Sequence, residues 1–201
     1  MSVVVDHEAI PARQLGLHTV GQVLSHLQTV NRLVVHVLID GEEPDLGNLS
    51  TTRKTLLDGH TLFIETADPT RLALDVLSEV EEQLQESDRL KGDAADLLRQ
   101  NQSGRALEKL SGCFTIWQNA QESLLKTAQL LRIDLEKVLV KGIPVTSMLK
   151  NFSQQLREIT TALKHRDFVT LSDILLYETT QTTEDWAEAL ESMRATVQSL
   201  R

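Results

Sequence analysis

One cysteine and six histidines are the side chains of this 201-residue chain best suited to nucleophilic or metal chemistry. Cys113 lies between Leu110 and Phe114, beside an apolar helical seam and far in sequence from any histidine. A cysteine reacts as its thiolate, which needs an electropositive and accessible setting, so this position predicts a buried, inert thiol. His7, His18, His26, His36 and His60 fall in the first 60 residues, but their spacings match no short chelating motif. His36 is expected on the strand face of Val34 and Leu38, partly buried and hydrogen-bonded. The loop Asp40-Gly41-Glu42-Glu43-Pro44-Asp45 carries four carboxylates. It lacks the alternating oxygen ligands of an EF-hand and reads as a solvated acidic turn. No glutamate has a histidine three residues later, which removes di-iron carboxylate chemistry of the bundle type. Glycine motifs that cradle phosphate and the G-x-S-x-G nucleophile elbow are absent too. The sequence thus predicts no catalytic residue, no metal site and no cofactor, and the expectation is a non-enzymatic protein.

A second group is polar rather than reactive. Between Leu176 and Trp186 the run Tyr177-Glu178-Thr179-Thr180-Gln181-Thr182-Thr183-Glu184-Asp185 interrupts an apolar pattern. Continuing the spacing of Phe168, Leu171 and Leu175 places Glu178 and Thr182 on a buried seam. Either the helix breaks, with Thr182 or Thr183 as a new N-cap, or Glu178 enters the interior and needs a partner. Gln121, the polar member of the longest seam, is the candidate partner. A buried polar layer of this kind fixes helix register. The other reading is a ligand pocket of Gln121, Asp173, Tyr177 and Glu178, since Asp173 and Tyr177 stack at i, i+4.

Charge is the third signal. The formal net charge is -9, which opposes general nucleic-acid binding, and seven aromatic residues make a base-stacking platform improbable. Residues 126–166 depart from this balance, with eight basic against three acidic side chains and acidic segments on either side. Within them Lys150, Arg157, Lys164 and Arg166 mark one helix. That helix is expected to lie against acidic neighbours that fix its register; the alternative is a stripe for an acidic partner. A single cysteine gives no disulfide framework. The acidic N-terminus is no signal peptide, and no apolar run reaches the length of a bilayer span. A soluble cytoplasmic protein is the expectation.

The elements that must position these groups fall into two regions. Residues 1–68 read as a small mixed β-α-β-(α)-β domain. Thr19-Val20-Gly21-Gln22 has capping-box form before a helix. Arg32 to Ile39 is apolar on both faces, as a central strand would be. Thr61 to Thr66 is a further strand, giving a three-stranded sheet. From Pro69 to residue 201 the period becomes helical. Lys91-Gly92-Asp93 and Gln102-Ser103-Gly104 read as helix breaks. Leu107, Leu110, Phe114, Trp117, Gln121, Leu124, Ala128 and Leu131 alternate three and four apart, a coiled-coil-like heptad seam. Lys141-Gly142-Ile143-Pro144 punctuates the next helix, whose seam is Val145, Leu149, Phe152, Leu156, Ile159 and Leu163. The fold class is therefore α+β and mostly helical, a small sheet domain followed by an antiparallel bundle.

Long amphipathic helices without catalytic motifs point to a bacterial-type protein-protein interaction or adaptor module, with self-association into a homodimer as one form. One alternative is a secretion or flagellar export chaperone, a class that shares acidic, long-helical character. Another is a small-molecule sensor or enzyme with a pocket between the domains near His36 or Glu178.

Overall fold

The change of hydrophobic period near residue 68 appears in the computed structural model as a change of architecture. The structure describes residues 2–200, without the side chains of Leu46, Glu178 and Thr180. The fold is α+β and mostly helical, with 66% of residues in helices. Two compact units divide between Leu72 and Ala73.

In the first unit the strands are β1 (Ser2–Val5), β2 (Glu8–Ala9), β3 (Leu33–Ile39) and β4 (Thr61–Ala67), with helices α1 (Val20–Thr29) and α2 (Leu49–Lys54). The sheet order is β2-β1-β4-β3, with β1 parallel to β4 and the other pairs antiparallel. Four strands rather than three result because Asp6 and His7 adopt positive φ and turn the chain back into β2. Asp6 secures that turn. Its carboxylate accepts from the Thr66 amide at 2.7 Å, the Thr66 hydroxyl at 2.7 Å and Arg32 at 2.8 Å. Burial acts to raise the Asp6 pKa, but these hydrogen bonds and the Arg32 charge outweigh it and hold it below the usual value.

The central-strand expectation for residues 33–39 is corrected: β3 is an edge strand, paired among the described residues with β4 alone. A bulge between Val34 and His36 also alters its alternation. Val34, Val37 and Ile39 pack on the core, while His36 and Leu38 pair with Glu65 and Phe63 on the other face. His36 is half-buried as expected and bonds Glu43 at 3.3 Å, but it does not share a face with Val34. The core holds Val3, Val5, Val20, Val23, Leu27, Leu57, Leu62 and Ile64. The capping box forms: the Gln22 amide donates to Thr19 Oγ1, and the Thr19 amide donates to Gln22 Oε1. Gly21 lies where α1 meets α2, since a Cβ there would stand 2.8 Å from the Arg53 carbonyl oxygen.

The second unit is built on α3 (Pro69–Arg99), α4 (Ser103–Leu131), α5 (Val145–His165), α6 (Phe168–Asp173) and α7 (Thr179–Ser199). A small hairpin, β5 (Leu139–Val140) with β6 (Ile143–Pro144), precedes α5. Side-chain pairs fix the helix directions. Ser87 meets Trp117 while Asp93 meets Lys109, so α3 and α4 are antiparallel. Glu81 meets Arg194 while Lys91 meets Thr183, so α3 and α7 are antiparallel too.

Three expectations change here. Gly92 does not break α3, which continues to Arg99. Ala94 and Ala95 are fully buried just beyond it, and Asp93 pairs with Lys109 of α4. The α4 seam has the expected period but a rotated phase. Its buried members are Ala106, Leu110, Cys113, Trp117, Ala120, Leu124, Thr127 and Ala128, whereas Leu107 is 41% exposed. Small residues at 106, 113 and 120 let neighbouring backbones approach, so Phe114 and Gln121 move to half-buried flanks. Finally, the polar run after Leu176 is neither a break nor a simple continuation. Residues Ile174–Glu178 form a π-turn that leads directly into α7. The wider turn absorbs one residue, so Leu171, Leu175 and Thr179, each four apart, are all buried.

Candidate functional site

The π-turn sets which side chains of α7 face the bundle interior. Thr179 is buried, and Thr182, Thr183 and Trp186 follow on the same wall. With α3, α4 and α5 they line an open-mouthed cavity of about 90 Å³. Three rings form much of the apolar wall. Trp117 and Phe152 meet edge to face at 5.9 Å, and Phe152 and Trp186 at 5.5 Å. These angles near 90° set the positive edge of one ring on the negative face of the next.

Polar groups of α3, α5 and α7 meet the cavity, Gln85 and the Arg194-paired Glu81 among them. Lys91 Nζ donates to Asp88 Oδ1 at 2.8 Å and to Thr183 Oγ1 at 3.3 Å, and the Thr183 hydroxyl donates to Asp88 at 2.7 Å. The Lys91 side chain is only 11% exposed and Asp88 35%, so this is a charge-balanced pair with its cation sheltered and its carboxylate partly in water. On the other side the Thr182 hydroxyl donates to Gln155 Oε1. The two indoles differ. Trp117 Nε1 donates to Ser87 Oγ at 3.1 Å, while the buried Nε1–H of Trp186 has no acceptor among the described residues.

The sequence-predicted pocket residues do not gather here. Asp173 is exposed, Tyr177 is 73% exposed, and Gln121 is half-buried on the flank of the α4 seam. The Glu178 side chain lies outside the described residues. The π-turn explains the difference, because it brings Thr179 onto the inward face. Asp88, Lys91 and Ser87 were missed because the supposed stop at Gly92 hid the continuity of α3.

A second feature is the outer face of α5. Lys150, Arg157 and Lys164 recur at seven-residue intervals, and all three are exposed, as is Arg166 just beyond the helix. Among the described residues none of the four makes an ion pair. The register-fixing role expected for this helix is therefore corrected. Lys141 is the basic residue that reaches α7, through Asp185 at 3.0 Å and Glu184 at 3.4 Å, and it precedes α5. The α5 cations point away because Val145, Met148, Leu149, Phe152, Ile159 and Ala162 already occupy the buried face.

Other reactive groups are accounted for structurally. Cys113 is fully buried, and burial pushes its thiol up to about 11. In the acidic loop Asp40 accepts from the Thr61 amide at 2.8 Å and meets His60 Nδ1 at 2.5 Å, while Asp45 accepts from the Gly47 amide. Among the described residues no three His, Cys, Asp or Glu side chains are grouped to hold a metal. No helix among them is long and apolar enough to cross a membrane.

Residues 73–189 match the family model described as a domain of unknown function, DUF8042, and the chain belongs to that family. No curated protein and no solved structure matches the chain.

Proposed function

We propose that this member of the DUF8042 family is a protein-interaction module whose α5 stripe receives an acidic segment of a protein partner. One observation carries the reading: three exposed cations at seven-residue spacing, without ion-pair partners among the described residues, on a chain of net charge -9. At 1.5 Å of rise per residue, successive charges stand roughly 10 Å apart along one helix face. A partner helix with carboxylates at the same interval would meet all three. The local sign is opposite to that of the whole chain, so long-range attraction would orient the partner toward this face. Exposed ion pairs contribute little individually, so the stripe would set orientation and salt sensitivity while apolar contacts beside it supply affinity. Self-association is the form in which the acidic segment comes from a second copy.

The test compares the full chain with a Lys150→Glu, Arg157→Glu, Lys164→Glu variant by affinity purification with lysine-directed cross-linking. The three positions are exposed, so far-UV circular dichroism and the melting temperature are expected to change little. A partner that cross-links to Lys150 or Lys164, and that is lost both in the variant and at high salt, supports the reading. Unchanged recovery by the variant, or cross-links confined to other lysines, refutes it. Light scattering on both proteins separates a second copy from a different partner.

A further inference from the structure

We infer that the cavity of the helical unit is a binding site for a small neutral ring compound bearing one hydrogen-bond acceptor. The first observation is Trp186. It is 2% exposed and lines the cavity, and its Nε1–H has no acceptor among the described residues. A buried donor without a partner is costly, and native proteins leave few of them. Trp117 on the same wall has its partner in Ser87, so the fold provides for one indole N–H and leaves the other, on a ring that lines the cavity, without an acceptor among the described residues.

The remaining walls define the ligand. Trp117, Phe152 and Trp186 present ring faces and edges, which favour a flat, mostly apolar body. The volume of about 90 Å³ is smaller than the roughly 150 Å³ of an apolar cavity that accepts benzene. A single ring therefore enters with part of it in the mouth, and a nucleotide does not fit. Lys91, Asp88 and Thr183 satisfy one another, so the polar side carries no uncompensated charge to recruit an ion. The acceptor then serves the indole rather than the lysine. The π-turn at Ile174–Glu178 is independent support, since such turns are rare and recur beside functional sites. Here it rotates Thr179, Thr183 and Trp186 onto the cavity wall. This inference does not rest on the α5 stripe, which lies on an exposed face.

The test uses acetophenone, which has a carbonyl acceptor, and isopropylbenzene, which has a similar shape without one. With two tryptophans in the chain, nitrogen-15 correlation spectra contain two indole N–H signals, and Trp117→Phe assigns them. Acetophenone is expected to shift the Trp186 signal saturably and to bind about tenfold tighter than isopropylbenzene, or about 1.4 kcal/mol. In Trp186→Phe the two compounds bind within about twofold of each other, because the donor is gone. Should that variant not fold, Ala187→Phe at the exposed mouth is expected to weaken acetophenone about tenfold. The inference is overturned if acetophenone gives no saturable shift, if the natural chain binds both compounds equally, or if the shifts map to another surface. It is also overturned if a long-lived water stays in contact with the Trp186 indole at saturating acetophenone.

Discussion

Replacing Ser87 by alanine isolates one buried hydrogen bond in the wall of the helical bundle. Ser87 is 1% exposed; its hydroxyl donates to the Leu84 carbonyl at 2.8 Å and accepts from Trp117 Nε1 at 3.1 Å. Ser87→Ala removes one oxygen and leaves a buried indole donor without a partner, a cost of about 1–3 kcal/mol. Alanine is the better helix former by roughly 0.5 kcal/mol, which offsets part of that cost. The expected loss is about 1–2 kcal/mol, or about 3–8 °C in the melting temperature of a unit this size. Urea unfolding followed by tryptophan fluorescence is the assay. Trp117 and Trp186 both lie in the helical unit, so unfolding of the sheet unit contributes no signal. The decisive step repeats Ser87→Ala in a Trp117→Phe background, where no donor remains to be stranded. There the same change is expected to cost less than about 0.5 kcal/mol, leaving a coupling of about 0.5 kcal/mol or more. Equal costs in the two backgrounds would refute the reasoning and show that Ser87 acts through packing alone.

Three further outcomes follow from the same geometry. Gly92→Ala is expected to stabilise the helical unit by about 0.5–1 kcal/mol, because the residue lies inside a continuous helix with no atom within 4 Å of the new Cβ; a lower melting temperature would contradict it. Cys113 is expected to resist Ellman's reagent at pH 8 in the folded chain and to react only as the protein unfolds. Burial excludes the reagent, and a thiol near 11 leaves a thiolate fraction on the order of 0.1% at that pH; rapid labelling of the native protein would count against this. The carboxyl of Asp6 has a lowered pKa, so its contribution to the sheet unit is present above the ordinary unfolded value of about 3.9. That contribution is lost as pH falls from there through the folded value. The Thr66 amide, which donates to Asp6 at 2.7 Å, is the reporter: its resonance should titrate below the usual carboxylate range, and Asp6→Asn should abolish the step.

The sequence is most legible where one pattern has one solution. The capping box at Thr19 needs only a hydroxyl and a glutamine three residues apart, and both bonds form. The apolar periods of residues 73–84 and 145–163 mark their buried faces correctly, since Ala73, Leu77, Val80, Val145, Phe152 and Ile159 are all buried. Legibility fails where two neighbouring phases are equally apolar. In α4 either Leu107 and Phe114 or Ala106 and Cys113 could face inward, and the choice depends on how closely α3 approaches, as the proximity of Leu90 to Gly112 illustrates. Edge and central strands are indistinguishable for the same reason: the apolar residues of β3 satisfy both, and only pairing decides. The π-turn has no periodic signature of its own, because one absorbed residue looks in sequence like a lapse of the seam. The candidate pocket at Asp173 and Tyr177 was therefore one turn out of place.

The family match and the compact helical unit begin at the same residue, Ala73, although nothing in the helix changes there. Pro69 and Thr70, in the first turn of α3, are buried and fall in the first unit, and the bundle seam starts at Ala73. Both proposed surfaces lie in the second unit, so what the family holds in common is to be sought there rather than in the sheet. The two surfaces make different demands on a relative. A docking stripe needs only cations at a repeated interval on an exposed helix, and it tolerates changes in the core. The cavity needs a wider helical turn, an indole that the fold leaves without an acceptor, and a facing lysine already matched by a carboxylate. A chain that kept the stripe but filled the cavity with a larger side chain could still bind a partner while losing acetophenone. That dissociation makes Trp186→Phe and the α5 charge reversal independent tests: each is expected to leave the other's readout in place.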